Sequence, residues 1–67
     1  MASGEAAMHT FTCLLTDTRY SVPTLVFIEA PGDDDARRLA WRELAASPFR
    51  TDFELMDDER PIGRGRK

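Results

Sequence analysis

The chain has 67 residues, of which 42% are hydrophobic and 31% are charged, so it is expected to fold and is not a disordered chain. The single cysteine, Cys13, excludes an intrachain disulfide, and the single histidine leaves no Cys/His set for a structural zinc ion. The net charge of −3 is uneven, with +4 in residues 60–67 and −7 in residues 1–59, which argues against a generic nucleic-acid binder. Because so short a chain is marginally stable without such cross-links, we expect a self-associating edge or face.

Targeting and membrane signals are missing from the sequence. The longest mostly apolar run, residues 24–30, is far too short to cross a bilayer. Residues 1–7 lack the basic region and apolar core of a secretory signal. Together with the lone thiol, these features favour the cytoplasm and no membrane partner. We expect a disordered leader over residues 1–8, with Met8 as an alternative start, and one small domain over residues 9–63.

The first predicted strand covers residues 9–16. Its alternation places Phe11, Cys13 and Leu15 on one face, and Leu14 with three threonines on the other. Threonines and an aromatic side chain suit a pleated, half-buried surface. A turn is predicted directly afterwards, at Asp17-Thr18-Arg19.

The second predicted strand, residues 23–30, is dense in β-branched and aromatic side chains, and proline suits its first position. Leu25 and Phe27 face one way, whereas Val26 and Ile28 face the other. Both faces of this strand therefore carry large apolar groups, and we expect each face to be covered at least in part.

One helix follows, and the sequence carries a start signal and a stop signal for it. Gly32 ends the strand, and Asp33, Asp34 or Asp35 is expected to be the N-cap, with the other acids favoured in the first turn by the helix dipole. Ser47-Pro48 is expected to end the helix, because the residue before proline avoids the α region. The inward stripe is thin and consists of Ala36, Leu39, Ala40, Leu44 and Ser47. Arg38, Arg42 and Ala45 lie opposite, with Trp41 at the border.

A third strand is predicted over residues 52–56, with Phe53 and Leu55 on one face. A polar break at residues 57–60 leads to a short returning strand at Pro61-Ile62-Gly63. Residues 64–67 are predicted to be a disordered basic tail.

These elements predict an α+β fold of two layers, an antiparallel sheet with one helix on one face. The right-handed crossover allows the third strand to lie beside the first, so the strand order is 2-1-3, or 2-1-3-4 with the returning strand. The second sheet face is left open. Leu14, Val26 and Ile28 are expected there, or their counterparts if the register is reversed.

Catalytic and metal-binding patterns find little support. Cys13 needs a base for nucleophilic catalysis, and His9 lies four residues away on the same strand, roughly 13 Å along it. Cys13 is therefore expected to be a buried structural thiol, and His9 a solvated strand-end residue. The acids Asp33–Asp35 fan out around the helix start, and Asp57–Glu59 form a turn, so neither cluster converges on a cation. We expect no enzymatic activity, no cofactor and no metal.

Two basic groups remain as candidate interaction sites. Trp41 among Arg37, Arg38 and Arg42 resembles an interface anchor, although packing over the sheet edge with i±4 ion pairs explains the same residues. The second group is the tail with Arg60, Arg64, Arg66 and Lys67, which either contacts an anionic partner or is simply solvated.

The helix pattern Ala36-Arg37-x-Leu39-Ala40, then Phe53-Glu54-Leu55 and an acidic turn into Arg60-Pro61-Ile62, resembles a group of short uncharacterised bacterial proteins. That resemblance covers residues 8–63 and implies a β-hairpin, a helix, and an ending of a hydrophobic-Glu-hydrophobic segment, a turn and an Arg-hydrophobic pair, with no activity to carry over. The chain is more faintly similar to small antitoxin subunits with a partial RNase H fold, which have three strands before the helix where this sequence predicts two.

The sequence thus predicts a protein-interaction module that binds a protein partner or itself as a homodimer. The alternative is a nucleic-acid-associated accessory or antitoxin-like protein that uses the basic tail and the surface around Trp41.

Overall fold

The computed structural model describes residues 7–67, which form an antiparallel sheet of four strands with one helix packed on one face. The strands are β1 (His9–Asp17), β2 (Thr24–Ala30), β3 (Arg50–Asp57) and β4 (Arg60–Arg66), and the helix α1 (Asp33–Ala45) connects β2 to β3. The strand order is β2-β1-β3-β4. The predicted α+β class and the longer of the two predicted orders are confirmed. The predicted leader lies mostly outside the described residues.

The core lies between the sheet and α1. The buried side chains are Phe11, Cys13 and Leu15 of β1, Ile28 and Ala30 of β2, Phe53 and Leu55 of β3, and Ala36, Ala40 and Leu44 of α1. Val26, Leu39 and Ile62 pack against this cluster. The alanines of α1 let the helix approach the sheet closely, because small side chains leave little between the two backbones.

The pairing of β1 with β2 decides which face of β2 packs against the helix. The sequence predicts Leu14 on the open side together with Val26 and Ile28 or with their counterparts, and β1 pairs Cys13 with Val26 and Phe11 with Ile28. Paired residues of an antiparallel ladder share a face, so Val26 and Ile28 face α1 with the core. Their counterparts Leu25 and Phe27 lie on the open side, 51% and 64% exposed.

The start of α1 differs from the predicted capping. The N-cap is Gly32, which has extended backbone and no side-chain cap hydrogen bond, rather than one of the three aspartates. All three aspartates lie in the first turn, where the positive end of the helix dipole stabilises them. At the other end the helix stops at Ala45, ahead of Ser47-Pro48 as the sequence predicts.

The C-terminal segment also differs from the prediction. Residues 64–66 are not a disordered tail, because β4 extends to Arg66 and pairs with β3 along its length. Lys67 is also held, since its backbone N–H donates to the Thr51 carbonyl at 3.0 Å. Pairing with β3 outweighs the poor strand propensity of Gly63 and Gly65.

Candidate functional site

The face of the sheet away from α1, here called the open face, is divided into two halves. On the β2–β1 side, Leu25 lies opposite Leu14, and Phe27 lies opposite Thr12. Met56 of β3 lies opposite Thr12 on its other side. These apolar side chains, Leu14, Leu25, Phe27 and Met56, are here called the apolar patch. Leu25 and Phe27 are exposed, whereas Leu14 and Met56 are partly buried.

The other half of the open face is charged. Asp52 lies opposite Arg66, and Glu54 lies opposite Arg64, in the register of β3 with β4. Opposite charges facing each other across an antiparallel pair stabilise the sheet modestly. A shallow depression of about 160 Å³ lies between the two halves and is lined by Leu14, Thr16, Pro23, Asp52, Phe53, Glu54 and Arg64.

Trp41 and Arg37 hold β4 against the helix. The Trp41 ring meets the Phe53 ring edge-on, with 5.1 Å between the centroids. A Cβ at Gly65 would lie 2.3 Å from Phe53 Cε2 and 2.7 Å from two indole carbons, so only glycine leaves room for this stack. Arg37 Nε donates to the Ile62 carbonyl at 2.7 Å, and the stem of Arg37 lies over Gly63.

The remaining helix arginines lie on a different side of α1. Arg38 is exposed and forms an ion pair with Asp35 at 2.8 Å. Arg42 is exposed and makes no ion pair within the described part of the chain. The four residues predicted as one interaction group are therefore divided: Arg37 and Trp41 face β4, whereas Arg38 and Arg42 face solvent.

The basic C-terminal residues also point in several directions. Arg60 approaches Asp57 at 3.1 Å and Asp33 at 3.8 Å. Lys67 donates through Nζ to the Ser47 carbonyl at 2.7 Å. Arg64 and Arg66 lie on the open face opposite acids. The structure does not bring these four cations together into one basic surface.

Cys13 and His9 do not form a reactive pair. The Cys13 thiol is fully buried in the core, and desolvation raises its pKa to about 11. His9 is exposed at the start of β1, where its ring meets Phe11 edge-on. Both residues lie where the sequence places them, and the thiolate that nucleophilic chemistry requires is disfavoured.

The acidic clusters are engaged with arginines or solvent. Asp34 pairs with Arg37 and Asp35 with Arg38, each three residues along the helix. Asp58 lies in the tight turn between β3 and β4 with φ of 55°, a left-handed conformation that aspartate tolerates better than most residues. Within residues 7–67, no group of three or more His, Cys, Asp or Glu side chains is arranged to hold a metal ion.

Asp17, Arg19 and Phe49 form a cluster where the sequence predicts only a turn at residues 17–19. The Asp17 side chain is 1% exposed and accepts hydrogen bonds from Arg19 N, Nε and Nη2 at 2.8–3.0 Å. Arg19 holds the pKa of Asp17 at about 2, below the usual 3.8. The guanidinium of Arg19 also stacks on Phe49, 4.5 Å from the ring centroid. The cluster joins the β1–β2 turn to the α1–β3 connection, which only the tertiary structure reveals.

Comparison with known proteins adds no relative: no family model, no curated protein and no solved structure matches this sequence. Within residues 7–67, no helix is long and apolar enough to cross a membrane.

Proposed function

We propose that this protein is a non-enzymatic protein-interaction module that acts in the cytoplasm and binds through its apolar patch. The observation that carries the proposal is the exposure of Leu25 and Phe27, 51% and 64%, side by side on the face that α1 leaves uncovered. Fully burying a leucine or phenylalanine side chain stabilises by about 1.5–3 kcal/mol. Contact with Leu25 and Phe27 would therefore contribute favourably to the binding free energy of a partner that covers them.

The chemistry of the remaining candidates supports a non-enzymatic role. Cys13, the nucleophile that the sequence offers, is buried with a raised pKa. The charged half of the open face carries cross-strand pairs of opposite sign, which balance one another. Such a surface is suited to the polar rim of a protein interface around an apolar centre.

The alternative is a nucleic-acid-associated accessory or antitoxin-like protein. It draws on Arg64 and Arg66, which are exposed on the open face, and on Arg38 and Arg42 of the helix. A phosphate backbone requires several cations on one surface, and these four lie on two sides of the molecule with acids beside three of them. The apolar patch therefore has the stronger support.

Site-specific photo-crosslinking in the source cell tests the proposal. A photoreactive phenylalanine analogue at position 27 probes the apolar patch, and the same analogue at position 42, on the solvent side of α1, is the matched control. We expect covalent protein adducts from position 27 and few from position 42. Equal, unspecific labelling at both positions, or none at either, would contradict the proposal, and adducts with nucleic acid would favour the alternative.

A further inference from the structure

We infer that the partner at this surface is a second copy of the chain, bound antiparallel along β2 so that Phe27 of the two copies face each other. The two four-stranded sheets would then form one continuous sheet. This inference rests on the proposed function, because it names the partner of the apolar patch.

The two edges of the sheet are very different, and only one is protected. β4 carries Pro61 and three arginines in seven residues. Proline and charged side chains are common devices against edge-to-edge pairing. β2 is the other edge, since the described residues pair it with β1 alone. It carries one charge, Glu29, and no proline within Thr24–Ala30.

The composition of β2 is that of an interior strand. Leu25, Val26, Phe27 and Ile28 form a continuous apolar run, which is typical of strands with neighbours on both sides and both faces covered. α1 covers the face with Ile28, whereas Phe27 and Leu25 on the open face are left exposed. A neighbouring β2 would satisfy the free backbone edge and place a second Phe27 beside the exposed Phe27, whereas Leu25 would lie opposite Glu29.

The length of β2 selects the register. Phe27 is the middle residue of Thr24–Ala30, so an antiparallel pair centred on it matches all seven residues, Thr24 with Ala30 and Leu25 with Glu29. Any other antiparallel register of two copies pairs fewer residues. The centred register also makes an aromatic pair at the two-fold axis, a favourable cross-strand combination.

Charge favours the same arrangement. In the centred antiparallel pair the two Glu29 residues lie four positions apart, about 13 Å along the strands, beyond the screening length of about 8 Å at physiological ionic strength. A parallel pair in register would place the two carboxylates side by side. A seven-residue edge is a small interface, so we expect a weak dimer that forms in the micromolar range or above.

Sedimentation measures whether the dimer exists and uses β2. The unmodified chain is expected to shift from monomer to dimer as its concentration rises to several hundred micromolar. Phe27→Lys is expected to weaken this dimer at least tenfold. Thr51→Lys adds the same charge at an exposed position of β3 and is expected to leave it unchanged. Because both positions are exposed, circular dichroism should show both variants folded.

Disulfide formation tests the pairing itself. Phe27→Cys is expected to cross-link readily on mild oxidation, whereas Leu25→Cys alone is not, because its two copies lie too far apart for a disulfide. An equal mixture of Leu25→Cys and Glu29→Cys should cross-link as a heterodimer. The unmodified chain, with only buried Cys13, is the background control.

The outcomes separate this inference from the proposed function. A chain that stays monomeric at several hundred micromolar overturns the inference, as does a dimer that none of the β2 cysteines cross-links. If position 27 then still gives adducts with a different protein in the cell, the interaction module stands and its partner is another chain. If position 27 gives no adduct and the chain forms no dimer, both the proposed function and this inference are wrong.

Discussion

Replacing Gly65 with alanine should destabilise the protein, although alanine is normally the better residue in a strand. The added Cβ would lie 2.3 Å from Phe53 Cε2 and 2.7 Å from two carbons of Trp41, against 3.4–4 Å for ordinary contact. The Phe53 ring would therefore have to move by about 1 Å, within a stack that also holds Trp41. The Phe53 ring cannot move freely, since it is buried against the core on one side and meets the Trp41 ring on the other.

The magnitude follows from two opposing terms. Overpacking of this kind costs about 1–3 kcal/mol, and removing a glycine from a strand returns about 0.5–1 kcal/mol. The middle of these two ranges gives an expected net loss of about 1 kcal/mol, which corresponds to a fall in Tm of roughly 4–8 °C for a domain of this size. Urea and thermal unfolding, followed by circular dichroism and by the fluorescence of Trp41, measure it directly.

Gly63→Ala is the matched control on the same strand and the same face. Its Cβ would meet the Arg37 stem at 3.2 Å, and this flexible side chain is free to shift. Because removing this glycine also returns about 0.5–1 kcal/mol, we expect Gly63→Ala to leave stability unchanged or to raise it by up to about 1 kcal/mol. In a Trp41→Ala background the cost of Gly65→Ala should shrink, because Phe53 can then move. If Gly65→Ala is as stable as Gly63→Ala, the close contact does not constrain β4 and the reasoning fails.

Three further outcomes are expected. The pKa of Asp17 in the folded protein is depressed to about 2 from 3.8, so its contribution to stability is complete above pH 3.8 and is lost as the pH falls towards 2. Asp17→Asn should therefore lower the urea midpoint at pH 6 much more than at pH 2. An equal fall in the midpoint at both pH values would contradict this. Cys13 should resist a thiol reagent at pH 8 in the folded protein and react once urea unfolds it, so rapid reaction in the native state would show that the thiol is accessible. Deleting residues 64–67 should cause a cooperative loss of stability of several kcal/mol, because it removes half of β4 from beneath Trp41; a thermal unfolding curve that is unchanged by the deletion would mean that these residues are only a tail.

The group of Trp41 and the helix arginines was predictable in its residues but not in its arrangement. The sequence groups Trp41 with Arg37, Arg38 and Arg42, yet the contacts of Arg37 and Trp41 with Ile62 and Gly65 depend on a strand that the sequence predicts only in part. The helical period places Arg38 and Arg42 opposite the inward stripe and Trp41 at its border, but it does not say which strand Trp41 contacts. That choice was made by the position of β4 beyond β3.

The sequence by itself determined the local elements: the alternation of Phe11, Cys13 and Leu15, the helix between Gly32 and Pro48, and from these the antiparallel order of the strands. It left open which face of β2 packs against α1, because both faces are apolar and either would have served a core. Pairing with β1 decided it, since Cys13 opposite Val26 carries Val26 and Ile28 inward and leaves Leu25 and Phe27 outside. The tertiary structure likewise decided the conformation of residues 64–66. Pairing with β3 and packing under Trp41 stabilise a strand there, although glycine and arginine by themselves favour a disordered end.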